Sequence, residues 1–412
     1  MFSLIKEITY KVSSYCNLDC VYCFQTKEIK ERNDIFTDFD ALACFLSQLP
    51  FRDSLEIKLT GGEVSLFLDE MRYGIRELKK LERKQDLKMN FTVITNGTNM
   101  EGIIDMMDEG LLEPDGTKLS WDGIYSASRS RKPKNPLFTD EFFNSKIRLL
   151  GKSKYNKSVL VRTAVTPDTV DDLYEAVLYL LDIGCTKWEY YFLTECEAYK
   201  SQKFAEQFHA QLQMIIGEYC RRYHNRQNRW TFSNWDSLYF VDNVRKTTDN
   251  KQRSVSCRHL GRSLYIAYDG RIFPCGYFDP YSNCDYTMKN GAAAPYVLGD
   301  IHTGFNEKAV CQFIDDYMHA PSCDYLSCNN LHCFECPALN KARSGQLNAR
   351  NCQTCVMRSM ERRAFELRKG DIRLSEEEQR MFADRYDFVQ DWNFERLSTG
   401  NYHQLPLRKG GE

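Results

Sequence analysis

The sequence predicts an α/β protein: a partial (β/α)6 barrel of TIM-like type, then a cysteine-rich region and C-terminal helices. Three observations predict this. Short apolar runs alternate with amphipathic stretches through the first 195 residues, the pattern of repeated βα units on a parallel sheet. The units number six, fewer than the eight that close a full barrel, so an open barrel with a free concave face is expected. Ten of the 17 cysteines lie between Cys257 and Cys355, where Gly, Pro and Asn break the chain into the short segments of a fold organised by metal.

The expected strands are Ile8 to Val12, Leu55 to Leu59, Met89 to Thr95, Lys118 to Trp121, Val159 to Val165 and Lys187 to Phe192, each rich in β-branched, apolar or aromatic residues. A helix from Asp38 to Leu46, capped by Thr37, follows the first. Leu68 to Leu81, Met100 to Glu109, Thr139 to Leu150 and Val170 to Leu181 repeat apolar residues at three- and four-residue spacing, and Gln202 to Arg222 supplies the sixth helix. Periodicity fades after Trp230. The expected organisation is therefore a barrel over 1–230, a bridging segment over 231–256, a cysteine-rich domain over 257–360, and charged helices with a polar tail over 361–412.

Composition narrows the function classes. With 55 basic against 57 acidic residues the formal net charge is −2, which disfavours a nucleic-acid-binding surface spread over the whole protein. No stretch approaches 18 consecutive apolar residues, and MFSLIKEITYKV lacks the pattern of a signal peptide, so a soluble cytoplasmic protein with no membrane partner is expected. Cytosolic thiols stay reduced, so clustered cysteines there point to metal or catalysis before disulfides.

Cys16, Cys20 and Cys23 form a C-x3-C-x2-C set just beyond the first strand. At this cysteine frequency about 0.03 such triplets are expected by chance. A [4Fe–4S] cube takes four ligands, so three thiolates leave one iron open to a chelating small molecule. A zinc knuckle with a distant fourth ligand is the competing reading. Gly61-Gly62-Glu63 follows the second strand, Thr95-Asn96-Gly97 ends the third and Ser120-Trp121-Asp122-Gly123 the fourth; as isolated features these would be ordinary turns.

Taken together, the triplet with Tyr22 before its last cysteine and these strand ends resemble the radical S-adenosylmethionine (SAM) superfamily. The resemblance implies that Gly61, Gly62 and Glu63 meet the SAM amino group, with the glycines allowing close approach of the chain, and that Thr95, Asn96, Ser120 and Asp122 belong to the same cofactor site. In the subfamily an Arg some twelve residues after the Ser pairs with the SAM carboxylate; Arg129 and Arg131 lie near that spacing, and Arg162 on the fifth strand competes.

Downstream, Cys257-x12-Gly270-x4-Cys275 resembles the opening of the SPASM domain of peptide-modifying radical SAM enzymes, although the later spacings, Cys323-x4-Cys328-x4-Cys333-x2-Cys336, differ from the family's. By resemblance Cys257, Cys275 and Cys336 would hold a first auxiliary [4Fe–4S] cluster, and Cys323, Cys328 and Cys333 with Cys352 or Cys355 a second. A zinc ribbon of Cys333, Cys336, Cys352 and Cys355 competes for the same residues. Cys284 and Cys311 are possible extra ligands, while Cys44 is expected to pack on the apolar face of its helix.

The resemblance implies a radical SAM peptide maturase whose substrate is a ribosomally made precursor peptide and whose electron donor is a protein such as flavodoxin or ferredoxin. Lys251 stands where many relatives supply a further cysteine, so the first auxiliary cluster would keep an iron open to a substrate thiolate, and a thioether cross-link is expected, with a carbon–carbon cross-link as the alternative. Because the first strand begins near Ile8, leader recognition is expected from a separate small protein or from the barrel and SPASM surfaces. A formylglycine-generating sulfatase-maturase-like enzyme, an RNA-modifying radical enzyme and an electron carrier are the alternatives. Glu189, Tyr190, Tyr191 and Glu195 cluster at the sixth strand, but alternation turns half of them outward and no catalytic base is assigned.

Overall fold

The computed structural model describes residues 5–23, 25, 30–31, 38–49, 54–85, 87–193, 196–223, 230–236, 263–279, 296–318, 338 and 352–371. Six parallel strands lie in sequence order: β1 (Glu7–Ser13), β2 (Ser54–Gly61), β3 (Lys88–Thr95), β4 (Lys118–Ser120), β5 (Leu160–Val165) and β6 (Lys187–Phe192). Each falls within two residues of its expected bounds. Alternation explains their setting, because Ile8, Tyr10, Leu55, Ile57, Phe91, Val161 and Trp188 are fully buried against helices while Glu7, Glu56, Lys58, Lys118, Arg162 and Glu189 stand half-buried on the other face.

The helices on the outer face are α1 (Phe39–Leu46), α2 (Leu68–Gln85), α3 (Met100–Asp108), the short α4 (Ser126–Arg129), α5 (Asp140–Lys152), α6 (Leu173–Asp182) and α7 (Gln202–Tyr223). Thr139 caps α5 as a side-chain acceptor for Phe142 N, and Asn99 does the same for α3. The cap of α1 is Asp38, whose carboxylate accepts from Ala41 N at 2.9 Å, one residue later than expected; Thr37 lies outside the described residues. Val170–Asp172 forms a separate 3-10 turn ahead of α6, with Thr169 bonded back to the end of β5. Cys44 is exposed, contrary to expectation, because α1 buries Phe39, Leu42, Phe45 and Leu46 and that stripe misses position 44.

The sheet extends beyond six strands. The short β7 (Thr231–Phe232) adds parallel to β6, and β8 (Ser263–Ile266) adds parallel to β1 on the opposite side. From β8 an antiparallel meander continues through β9 (Arg271–Phe273), β10 (Gly299–Asp300) and β11 (Gly304–Phe305). The order is β11-β10-β9-β8-β1-β2-β3-β4-β5-β6-β7. The barrel is thus open among the described residues, and its sheet runs on past the boundary expected near 231–256.

Two further helices are α8 (Glu307–Met318) and α9 (Cys352–Arg368). The boundary expected at 360 falls inside α9, a continuous helix that docks on the barrel. Gln213 of α7 donates to the Ala364 carbonyl at 3.1 Å, Phe365 packs on Trp235, and the buried Glu361 accepts from Tyr190 OH at 2.5 Å. Residues 372–412, with the rest of the expected charged helices and the tail, lie outside the described residues. No described helix is long and apolar enough to cross a membrane.

Candidate cofactor site

The candidate residues collect where β1 to β6 end, because every βα loop of a parallel sheet emerges on that side. Beyond Ser13 the chain turns, Cys16 N donates to Lys30 O at 3.2 Å, and the cysteine loop begins. It is not a free loop. Asp19 N donates to Lys132 O at 2.6 Å, Val21 N to Ser130 O at 2.8 Å, Lys134 N to Asn17 O at 3.1 Å, and Leu18 bridges Pro133 in antiparallel fashion. Buried Leu18 anchors this ribbon to the core.

Cys16 is buried, while Cys20 and Cys23 are half-buried. Burial and the nearby Glu63 carboxylate push the Cys16 thiol up to about 12, and burial pushes Cys20 up to about 11 against the pull of Arg131. Ligation must therefore displace protons, as metal binding at thiols generally does. The three thiols influence one another electrostatically, yet no three His, Cys, Asp or Glu among the described residues gather tightly enough for a single ion. Tetrahedral zinc would hold its sulfurs about 3.8 Å apart, whereas a cube spreads its ligands more widely. Three thiols on one loop are the donor type that an iron–sulfur cluster takes.

Gly61 and Gly62 bind the end of β2 to the cysteine loop. Gly62 N donates to Ser13 O at 2.9 Å and Glu63 N to Tyr15 O at 2.8 Å. A Cβ on Gly61 would meet Ser13 O at 2.3 Å, and one on Gly62 would meet Tyr15 O at 2.1 Å. The sequence reading placed the close approach at the ligand; the structure places it between two stretches of backbone.

Glu63 is only 1% exposed. Its Oε1 accepts from Ser65 N at 2.9 Å and Thr95 Oγ1 at 2.6 Å, and its Oε2 accepts from Asn96 N at 2.5 Å, so the carboxylate ties β2 to the end of β3. Asn96 in turn donates to Asn17 Oδ1 at 2.9 Å, inside the cysteine loop.

Ser120 and Asp122 sit at the end of β4. Asp122 Oδ1 accepts from Ala164 N at 3.1 Å, and its Oδ2 accepts from Ser130 Oγ at 3.0 Å and from Tyr22 OH, joining β5, the 130–134 segment and the cysteine loop. The two arginines part company here. Arg131 is 2% exposed and donates to the Ser120 carbonyl. Arg162 lies on the helix-free face, stacked 4.3 Å over Tyr191, with Nε 2.9 Å from Glu189 Oε1. Glu189 also takes Lys118 Nζ at 3.0 Å; burial, with Arg162 beside it, holds that ammonium below its ordinary value. Arg129 leaves the site for an exposed pair with Asp172. Glu189 and Tyr191 face the polar side while Tyr190 turns to the helices, the split that alternation demands; Glu195 lies outside the described residues.

Of the downstream cysteines, Cys275 follows β9 and is half-buried, and Cys311 is exposed on α8. Gly270, at φ +87°, closes the β8–β9 hairpin, donating to Ala267 O at 3.0 Å. Cys352 and Cys355 lie in the first turns of α9. Cys257, Cys284, Cys323, Cys328, Cys333 and Cys336 are outside the described residues. Sequence reasoning missed Lys11 of β1 and Asp279, four residues past Cys275: both are buried, 3.9 Å apart, and they join the two cysteine regions. A lysine inside an apolar strand was the available signal.

Residues 10–180 match the family model of the radical SAM superfamily. The fold is similar to that of anSMEcpe with bound AdoMet, at a TM-score of 0.67 and 16% identity over 93% of this chain and 99% of that one. The native form of anSMEcpe with AdoMet and the Kp18Cys peptide gives 0.64 at 16% identity, over 88% and 97%. Streptococcus suis SuiB bound to precursor peptide SuiA is more distant, at 0.45 and 15%, over 66% of this chain and 60% of that one. No curated protein matches.

Proposed function

We propose that this protein is an enzyme of the radical SAM superfamily and that it modifies a ribosomally made, cysteine-containing precursor peptide in the cytoplasm. The polar face of the sheet carries this reading. Lys58 Nζ lies 2.9 Å from Glu7 Oε2 and 3.7 Å from Glu56 Oε1, and the Lys118–Glu189–Arg162 cluster stands across from it. Such a wall of paired, half-buried charges suits the hydrogen-bonding groups of an extended peptide better than an apolar small molecule. The likeness to anSMEcpe, one of whose structures holds a peptide beside AdoMet, supports the same substrate class.

Cys16, Cys20 and Cys23 would hold a [4Fe–4S] cluster with one iron open to SAM, and the bound pair supplies a 5′-deoxyadenosyl radical able to remove an unactivated hydrogen. The chain's own residues position and shield. Gly61, Gly62, Glu63, Thr95, Asn96, Ser120 and Asp122 border the strand ends where SAM would lie. Glu63 Oε2 keeps a lone pair beyond its bond to Asn96 N, enough to accept from the SAM ammonium. Arg162, held by Glu189 and flattened on Tyr191, presents a fixed cation to an anionic group of SAM or peptide.

Auxiliary clusters at Cys257, Cys275 and Cys336, and at Cys323, Cys328 and Cys333 with Cys352 or Cys355, would complete the enzyme. Cys257, Cys275 and Cys336, a three-thiolate set, would hold a cluster able to bind a substrate thiolate, which would bring its sulfur close to a carbon radical on the same peptide. Flavodoxin or ferredoxin would supply the electron, and a separate small protein or the barrel and SPASM surfaces the leader recognition. Anaerobically reconstituted protein is expected to hold about 12 irons and little zinc; about 8 irons with one zinc would favour the ribbon. With SAM, reductant and a precursor peptide, mass spectrometry should show loss of two hydrogens per cross-link and thiols that no longer alkylate. Free thiols in the product would rule out the thioether, and an aldehyde that captures hydrazides would instead identify formylglycine formation.

A further inference from the structure

The ribbon between the cysteine loop and residues 130–134 has a single register. Asn17, Asp19 and Val21 pair with Lys134, Lys132 and Ser130, and Leu18 faces Pro133. Arg131 lies between Lys132 and Ser130, which accept from Asp19 N and Val21 N on either side of Cys20, and its charge acts on the Cys20 thiol. Arg131 is 2% exposed, and its NH1 donates to the Ser120 carbonyl. Its Nε–H is buried with no partner.

A buried donor left unmade is costly and calls for an explanation. Asp122, the nearby carboxylate, already accepts from Ala164 N, Ser130 Oγ and Tyr22 OH. The group that gains negative charge when the site fills, and on which the Arg131 charge acts, is the Cys20 sulfur. We propose that Arg131 is a positioning residue for the cluster: its unpaired Nε–H donates to the Cys20 thiolate once that thiolate ligates iron, and its fixed charge favours the reduced state. Hydrogen bonds and charge beside cluster sulfurs are general determinants of reduction potential. Arg162 is thereby left as the arginine available to the SAM carboxylate. This inference rests on reading Cys16, Cys20 and Cys23 as the SAM-binding cluster.

The test uses the full-length, anaerobically reconstituted protein and its Arg131→Gln and Arg131→Lys variants. An EPR-monitored redox titration follows the signal that changes on SAM addition, and SAM affinity is measured alongside. Reduction in Arg131→Gln should become about tenfold less favourable, a fall of about 59 mV for one electron. Arg131→Lys, which keeps the charge and loses the Nε–H, should fall between Arg131→Gln and wild type, and SAM affinity should change less than about threefold. Wild-type potentials in both variants, with SAM affinity lost about tenfold, would overturn the inference and return Arg131 to the SAM carboxylate. If Arg131→Gln does not fold, the Arg131→Lys potential decides. A wild-type protein with no SAM-responsive signal would instead overturn the reading of the triplet, and this inference with it.

Discussion

The loop carrying Cys16, Cys20 and Cys23 and the turn carrying Cys275 both follow strands of the same sheet, but they are held differently. The first is fixed by residues distant in sequence: Gly62, Asn96 and the 130–134 segment all bond to the loop or its base. The second sits beyond a hairpin closed within five residues, where Ala267 N donates to Arg271 O at 2.9 Å and Gly270 occupies the left-handed region. The proposed cluster would need an imposed geometry to keep one position open, and here tertiary contacts hold the loop. A hairpin can place one residue from local turn chemistry alone. The Lys11–Asp279 pair joins the two regions through the interior.

The largest expected effect comes from the ligands themselves. Ala at Cys16, Cys20 or Cys23 should abolish 5′-deoxyadenosine formation, read by liquid chromatography, while iron bound at the downstream cysteines survives; loss of all iron together would mean that the two regions assemble as one unit. Next is the link between them. Lys11→Met removes the cation beside the buried Asp279 carboxylate and should cost about 3–5 kcal/mol in chemical denaturation, with Lys11→Met/Asp279→Leu recovering much of the loss. A single substitution with no effect on stability would show that the pair joins nothing.

The third prediction compares the two glycines. Gly62→Ala drives a methyl into the Tyr15 and Ser14 carbonyls and should cost about 2–3 kcal/mol, read as a lowered Tm. Gly270→Ala, whose Cβ meets only side chains from 3.1 Å outward, should cost about 1–2 kcal/mol, set by its positive φ. Equal costs would remove the contrast between tertiary and local support.

The smallest effect is on pH. In the metal-free protein the folded state holds the Cys16 proton up to about 12, while the unfolded chain releases it near its ordinary value of 9.0. Above pH 9 the unfolded state therefore binds fewer protons, and stability falls as pH rises. Below pH 9 the contribution is complete, and by pH 10 about 1.4 kcal/mol is gone. Metal-free Cys16→Ala should lack this component of the alkaline slope, and identical slopes in the two proteins would place Cys16 in water.

The six strands were legible because an apolar residue at every second position is a local signal that needs no knowledge of the rest of the chain. The same holds for the cysteine triplet. Harder to see were the cap at Asp38 and the exposure of Cys44, since both depend on which turn of α1 meets the core.

By itself, the sequence determined the βα alternation, the polar and apolar faces of the strands, and the three thiols after β1. Only the tertiary structure decided that β8 would pair with β1, that Gly62 would press on Tyr15, and that Arg131 would act on Cys20 with Arg162 left on the open face. The physical reason is that periodicity resides in neighbouring residues, whereas register between segments more than a hundred residues apart is fixed by packing and by the demand that buried donors find acceptors.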